Sequence, residues 1–183
     1  MAETTITILG IDPGLRVTGW GVIEAVDGRL RHIANGVVRT RSGDEIGAQL
    51  TALYDGITAI IAEHLPESAA VEETFVNRNP QSALRLGLAR GVVVLAPARA
   101  GLPVTEYAAN QVKKSVVGAG HAAKQQIGMM VKTLLPAARV ESEDAADALA
   151  VAICHAHFAA TAARLALAAD RAVTPRRAAG AVR

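Results

Sequence analysis

The polar and apolar positions along the chain alternate with two different periods. Thr5–Ile11 is an apolar, β-branched run and predicts a central strand that ends in the turn signal Asp12-Pro13-Gly14. Val17–Val26 and Leu30–Arg39 predict two more strands, joined by an Asp27-Gly28 hairpin turn, so three antiparallel strands come first. The period then lengthens. Ile46, Leu50, Leu53, Tyr54, Ile57, Ile60 and Ile61 recur at helical spacing and predict a helix over Asp44–Glu63, with Pro66 closing the connection. A short strand, Ala69–Glu72, follows, and then a polar loop from Thr74 to Pro80. The remaining pattern predicts a helix over Gln81–Ala96, an edge strand at Pro103–Thr105, and helices over Tyr107–Val117 and Ala122–Leu135. A long alanine-rich helix then runs from Ser142, a suitable N-cap, to about Ala169. The order is α/β: a mixed five-stranded sheet, three antiparallel strands first and then parallel ones, with flanking helices.

Composition sharpens this picture in places. The 183 residues suffice for one domain with a sizeable core, and 51% are hydrophobic, much of that alanine. The apolar stretch Ala145–Ala169 carries Asp147, His155, His157 and Arg164, which fits a buried amphipathic helix and not a membrane span. The N-terminus has no basic segment, so no signal peptide is expected, and the single cysteine, Cys154, excludes an internal disulfide; both fit the cytoplasm. The net charge is only +2, but it is unevenly spread. Residues 170–183 hold four arginines and one acid; the body then has 15 basic and 16 acidic residues. From Thr74 to Val140 there is one acid, Glu106, against nine bases that include all four lysines. A basic middle beside acids at Asp12, Glu72, Glu73 and 141–147 suggests a polyanion-binding face around an acidic pocket. Residues 1–169 are expected to form one domain and 170–183 a flexible basic tail.

The acids point to a chemistry. Asp12 stands at the carboxyl end of a central strand, where sites of open α/β sheets gather. Asp144 and Asp147 are three apart and share one side of a helix, and Asp147 lies close to an apolar face, where a lone carboxylate is costly. Asp144 and Glu143 also suit the positive end of the helix dipole, so each has a purely structural reading. Glu72 and Glu73 end the fourth strand; neighbours on a strand face opposite ways, so one of them can join Asp12. Phe75, in the polar loop beside Arg78, either tucks into the core or stacks on a base. His155 and His157 are two apart, share no helical face, and are not read as a metal pair.

Taken in order, the motifs Ile11-Asp12-Pro13-Gly14, Thr18-Gly19-Trp20-Gly21, Val71-Glu72-Glu73-Thr74-Phe75, Ala83-Leu84-Arg85-Leu86-Gly87, Gln111-Val112-Lys113, Val116-Val117-Gly118 and Asp144-Ala145-Ala146-Asp147-Ala148-Leu149-Ala150 closely resemble the RuvC family of Holliday-junction resolvases, over about Thr7 to His157. The resemblance implies a ribonuclease H-like fold. It also implies catalytic, metal-holding carboxylates at Asp12, Glu72, Asp144 and Asp147, a base-stacking Phe75, and DNA-binding Lys113 and Lys124; Arg78 and Lys114 join these as basic neighbours. It further implies paired symmetric nicks across a four-way DNA junction in recombination and repair. The ends would be ligatable, the preferred site would contain thymine, and the partners would be the branch-migration proteins RuvA and RuvB.

Such hydrolysis needs an activated water and relief of charge on the leaving oxygen. Two Mg²⁺ ions per site, with Mn²⁺ as a substitute, supply both; Asp12 would bridge them, Glu72 would hold one, and Asp144 and Asp147 the other. A symmetric junction calls for two sites, hence a homodimer, with the Gln81–Ala96 helix and its Gly87–Gly91 ridge as the expected interface. Three rival classes fit the chain less well. A sugar kinase or actin-like ATPase needs a second similar domain; a catalytically dead junction binder has no use for four carboxylates; a ribonuclease H-like nuclease acting on RNA is separated by substrate.

Overall fold

The computed structural model describes residues 5–73, 79–120 and 123–173. The strands are β1 (Thr5–Asp12), β2 (Val17–Val26), β3 (Arg29–Arg39), β4 (Ser68–Glu73) and β5 (Val104–Ala108), and they form one sheet in the order β3-β2-β1-β4-β5. β1, β2 and β3 pair antiparallel, while β4 and β5 run parallel to β1. The helices are α1 (Ile46–His64), α2 (Pro80–Arg99), α3 (Ala109–Val117), α4 (Lys124–Leu134) and α5 (Glu143–Val173).

Period-two alternation divides the core into two layers. Leu9, Ile11, Val22 and Val71 face α1 and α2, where they meet Leu53, Ile57, Ala89 and Val93. Ile8, Ile23 and Ala70 face the other side, where α5 lies with Leu149 and Ile153 fully buried, and α3 and α4 add Val112, Ile127 and Val131. By length and composition Glu143–Ala162 is apolar enough to cross a membrane, yet half of it is buried inside the fold, and it is the helix around which this second layer is built.

Two glycines let α5 lie against the strands. A Cβ on Gly10 of β1 would collide with the Ala148 carbonyl and approach the Ala152 nitrogen to 2.7 Å. One on Gly19 of β2 would strike the Asp144 carbonyl. Gly19 is paired with Asp12 across the β1–β2 ladder, so the same close approach that seats the helix brings Asp144 over Asp12.

Beyond shifts of a residue or two at other boundaries, four differences from the expected elements have a local reading. Tyr107 belongs to β5, opposite Glu72, and not to a helix; its side chain is buried and bonds to His155 Nδ1 at 2.9 Å, so tertiary packing extends the strand. α2 continues through Pro97 to Arg99: Pro97 gives up one helical hydrogen bond near the helix end, and its ring is buried against the core. α1 begins at Ile46 without a side-chain cap, two residues after Asp44. α5 extends to Val173, a turn past Ala169. The tail expected over 170–183 lies, from 174 onward, outside the described residues.

Candidate active site

β1 and β4 run parallel with Gly10 opposite Ala70 and Ile11 opposite Val71. Asp12 and Glu72 therefore have the same parity and face α5 together. Glu73 faces the other layer, where Arg90 of α2 reaches it at 3.8 Å while holding Glu106 at 2.7 Å. The register thus decides between the two glutamates.

α5 starts as expected. Ser142 Oγ accepts the Ala145 N–H at 3.1 Å, which caps the helix and sets Asp144 and Asp147 on the side turned to the strand ends. Asp12, Glu72 and Asp147 line one cavity of about 190 Å³ together with Lys113 and Lys124. Asp144 stands beside it, half-buried, close enough for its charge to act on both Asp12 and Asp147.

The electrostatics are those of acids crowded without enough cation. Burial pushes Asp12 up to about 8, and the charges of Glu72, Asp147 and Asp144 push the same way. Glu72 is within side-chain hydrogen-bonding reach of Asp12, and burial raises it too. Burial also raises Asp147, against the pull of Lys124. Lys124 Nζ lies 3.5 Å from Asp147 Oδ2 and 3.9 Å from Glu143 Oε2, and Asp147 in turn raises the lysine. Like-charged carboxylates in a half-buried cleft cannot all ionise cheaply. Hard oxygen donors of this kind suit Mg²⁺ or Mn²⁺, so the donor set fits divalent ions. Among the described residues no three acids, histidines or cysteines yet converge tightly enough to hold an ion.

Not every expected residue joins the cavity. Lys114 lines a separate depression of about 400 Å³ with Ser115, His157 and Phe158, one residue and a large turn of α3 away from Lys113. His157 bonds to Ser115 at 3.1 Å and His155 to Tyr107 at 2.9 Å, so each histidine has a hydrogen-bonding partner from the elements packed on α5. Phe75 and Arg78 lie outside the described residues. Cys154 is buried in α5, and burial pushes its thiol up to about 11, far from a nucleophile's range.

A mixed sheet of this order, with acids from β1, β4 and α5 at the carboxyl ends of its central strands, defines a ribonuclease H-like nuclease. The chain belongs to the RuvC family, crossover junction endodeoxyribonuclease, whose model matches residues 8–155. It is 63% identical over 164 residues to the RuvC endonuclease of Paramagnetospirillum magneticum, covering 90% of this chain and 99% of the relative. The Rhodospirillum rubrum enzyme is 60% identical, with 88% and 95% covered. Among solved structures, Thermus thermophilus RuvC in complex with a Holliday junction substrate superposes with a TM-score of 0.80 at 34% identity, covering 86% of this chain and 96% of that one. A yeast mitochondrial Holliday junction resolvase shares the fold, with a TM-score of 0.67 at 10% identity over 91% of this chain and 86% of that one.

Proposed function

We propose that the chain cuts four-way DNA junctions by metal-assisted phosphodiester hydrolysis at Asp12, Glu72, Asp144 and Asp147, in recombination and repair in the cytoplasm. The observation that carries this reading is the convergence of Asp12, Glu72 and Asp147 on one cavity walled by Lys113 and Lys124. Two divalent ions held there, Mg²⁺ or Mn²⁺, would supply an activated water and relieve charge on the leaving oxygen. The protein's own part is to orient and to neutralise. The four carboxylates would hold the cations at the carboxyl ends of β1 and β4. Burial keeps the cleft low in dielectric, so those charges act strongly. Lys113 and Lys124 offer cationic groups to the phosphates on either side of the cut. Lys124, 3.5 Å from Asp147, also offsets part of that acid's charge. Phe75 and Arg78, next in the chain after Glu72, are assigned to the junction's unpaired bases and backbone.

Assembly as a two-fold homodimer supports paired nicks. α2 leaves Leu84, Leu88 and Leu95 exposed in a stripe at helical spacing, and a side chain added at Gly87 or Gly91 would meet nothing within 4 Å. Leu86 is half-buried and Val92 packs against the core, so neither adds to the stripe. RuvA and RuvB are the partners this reading expects, since branch migration supplies the junction to be cut.

The test is Mg²⁺-dependent nicking of a labelled four-way junction against linear duplex and structured RNA. Asp12→Asn, Glu72→Gln, Asp144→Asn and Asp147→Asn should each nearly abolish nicking and leave junction binding intact, because none of them removes a cationic group that meets phosphate. Equal cutting of RNA, or full activity of all four variants, would defeat the reading.

A further inference from the structure

On the other side of Asp12 from the lysines lies a second, larger groove of about 530 Å³. Its walls are the turn Gly14–Val17 after β1, the segment Ser42-Gly43 after β3, and the first turns of α2 with Ser82 and Arg85. All of these stand at the same end of the sheet as the carboxylates: Gly14 is two residues past Asp12, and α2 is the helix that follows Glu72.

The groove's backbone is held by polar side chains, of which Thr18 and Gln49 are buried. Thr18, fully buried, donates from Oγ1 to the Gly14 carbonyl at 2.6 Å and accepts the Gly14 N–H at 3.2 Å. Thr40 donates from its hydroxyl to the Leu15 carbonyl at 2.6 Å and from its backbone N–H to the Arg16 carbonyl at 3.1 Å, tying the turn to the end of β3. Gln49, 8% exposed, donates to the carbonyls of Arg41 and Asp44 at 3.1 Å and fixes the loop after β3. Asn79 caps α2 by accepting the Gln81 N–H at 2.9 Å. Against these fixed walls Arg16 and Arg85 are exposed, and among the described residues neither has an ion-pair partner. Arg39 at the end of β3 and Arg41 in the loop after it are matched in number by Asp44 and Glu45, so Arg16 and Arg85 are the surplus.

We infer that Arg16 and Arg85 form a second phosphate-binding site, which grips the DNA backbone on the side of the cut opposite Lys113 and Lys124. This rests on the nuclease reading above and extends it: the carboxylates would lie between two basic rims, and a strand crossing them would be held on both sides of the scissile phosphate. A rigid groove with two guanidinium forks suits phosphodiester oxygens, because Arg pairs with them in two hydrogen bonds and little entropy is lost on binding. Each phosphate contact also releases condensed counterions, which makes the contribution measurable.

The experiment follows the affinity for a fluorescein-labelled four-way junction, in EDTA, as a function of salt. The slope of log affinity against log salt should become shallower by about one unit for each arginine removed, in Arg85→Gln and in the Arg16→Gln, Arg85→Gln pair. Lys113→Gln gives the yardstick, and the Arg16→Lys, Arg85→Lys pair should keep most of the parent slope. Arg85→Gln alone keeps the test open if the double variant melts early. A parent slope in the glutamine variants overturns the inference, as would follow if the groove served an acidic protein partner instead. A parent chain that binds no junction at all defeats the nuclease reading, and the groove's assignment falls with it.

Discussion

At the residue scale, Asp12 is where folding and activity oppose each other. Its carboxyl is held near 8 in the fold against an ordinary value of 3.8, first by burial and then by its acidic neighbours. The native state therefore binds a proton that the unfolded chain has lost, across the window from about pH 4 to about pH 8. Stability contributed by this group is full below that window and is lost as pH rises through it. Without divalent metal, Asp12→Asn should accordingly melt higher than the parent, with a margin that grows from pH 4 to pH 8 and then levels off. Thermal melts in EDTA across that range check this; a margin that shrinks with rising pH reverses the sign. Added Mg²⁺ should raise the parent's melting temperature at pH 8 far more than the variant's, since the ion offsets the charge the variant no longer has. Glu73 gives the contrast. It faces Arg90 and not the cavity, so Glu73→Gln should cleave at close to the parent rate in the same nicking assay that silences Glu72→Gln.

At the scale of elements, activity depends on how closely α5 approaches β1 and β2. Gly19 has no room for a Cβ because the Asp144 carbonyl occupies that space. Gly19→Ala should push the first turn of α5 outward and carry Asp144 and Asp147 with it. Overpacking of this kind costs about 1–3 kcal/mol of stability. A displacement of about 1 Å at a reacting centre can cost about 10²-fold in rate. The expected variant is folded, somewhat less stable and about 10²-fold slower on the junction. A variant that melts slightly lower but cuts at the parent rate would mean that Asp144 has slack.

At the scale of the whole molecule, resolution needs two such sites. α2 offers its exposed leucines and open glycines to a second copy, and because a side chain at Gly87 would meet nothing in its own protomer, Gly87→Arg should fold normally and sediment as a monomer. The parent should sediment as a dimer. Mixing parent with Asp12→Asn should yield mixed dimers that nick one strand and stop. Complete resolution by mixed dimers, or a monomeric active parent, would remove the dimer.

Much of this was legible in the chain. The switch from period two to helical spacing specified strand and helix order, Ser142 marked the start of α5, and the spacing of Asp144 and Asp147 set both on one helical side, because these are local consequences of backbone geometry. Local pattern could not choose between Glu72 and Glu73; the β1–β4 register did, since parity across a parallel pair is a tertiary fact. Nor could it tell that Tyr107 would finish a strand, because that depends on a partner strand and a buried hydrogen bond to His155. Lys113 and Lys114 look alike in the sequence, yet only Lys113 reaches the carboxylates, as the packing of α3 against α5 decides which side of a short helix faces the cleft. Arg16 and Arg85 are 69 residues apart and carry no mutual signal in the chain; they share a groove because β1 ends where α2 begins, an arrangement that exists only once the sheet has formed.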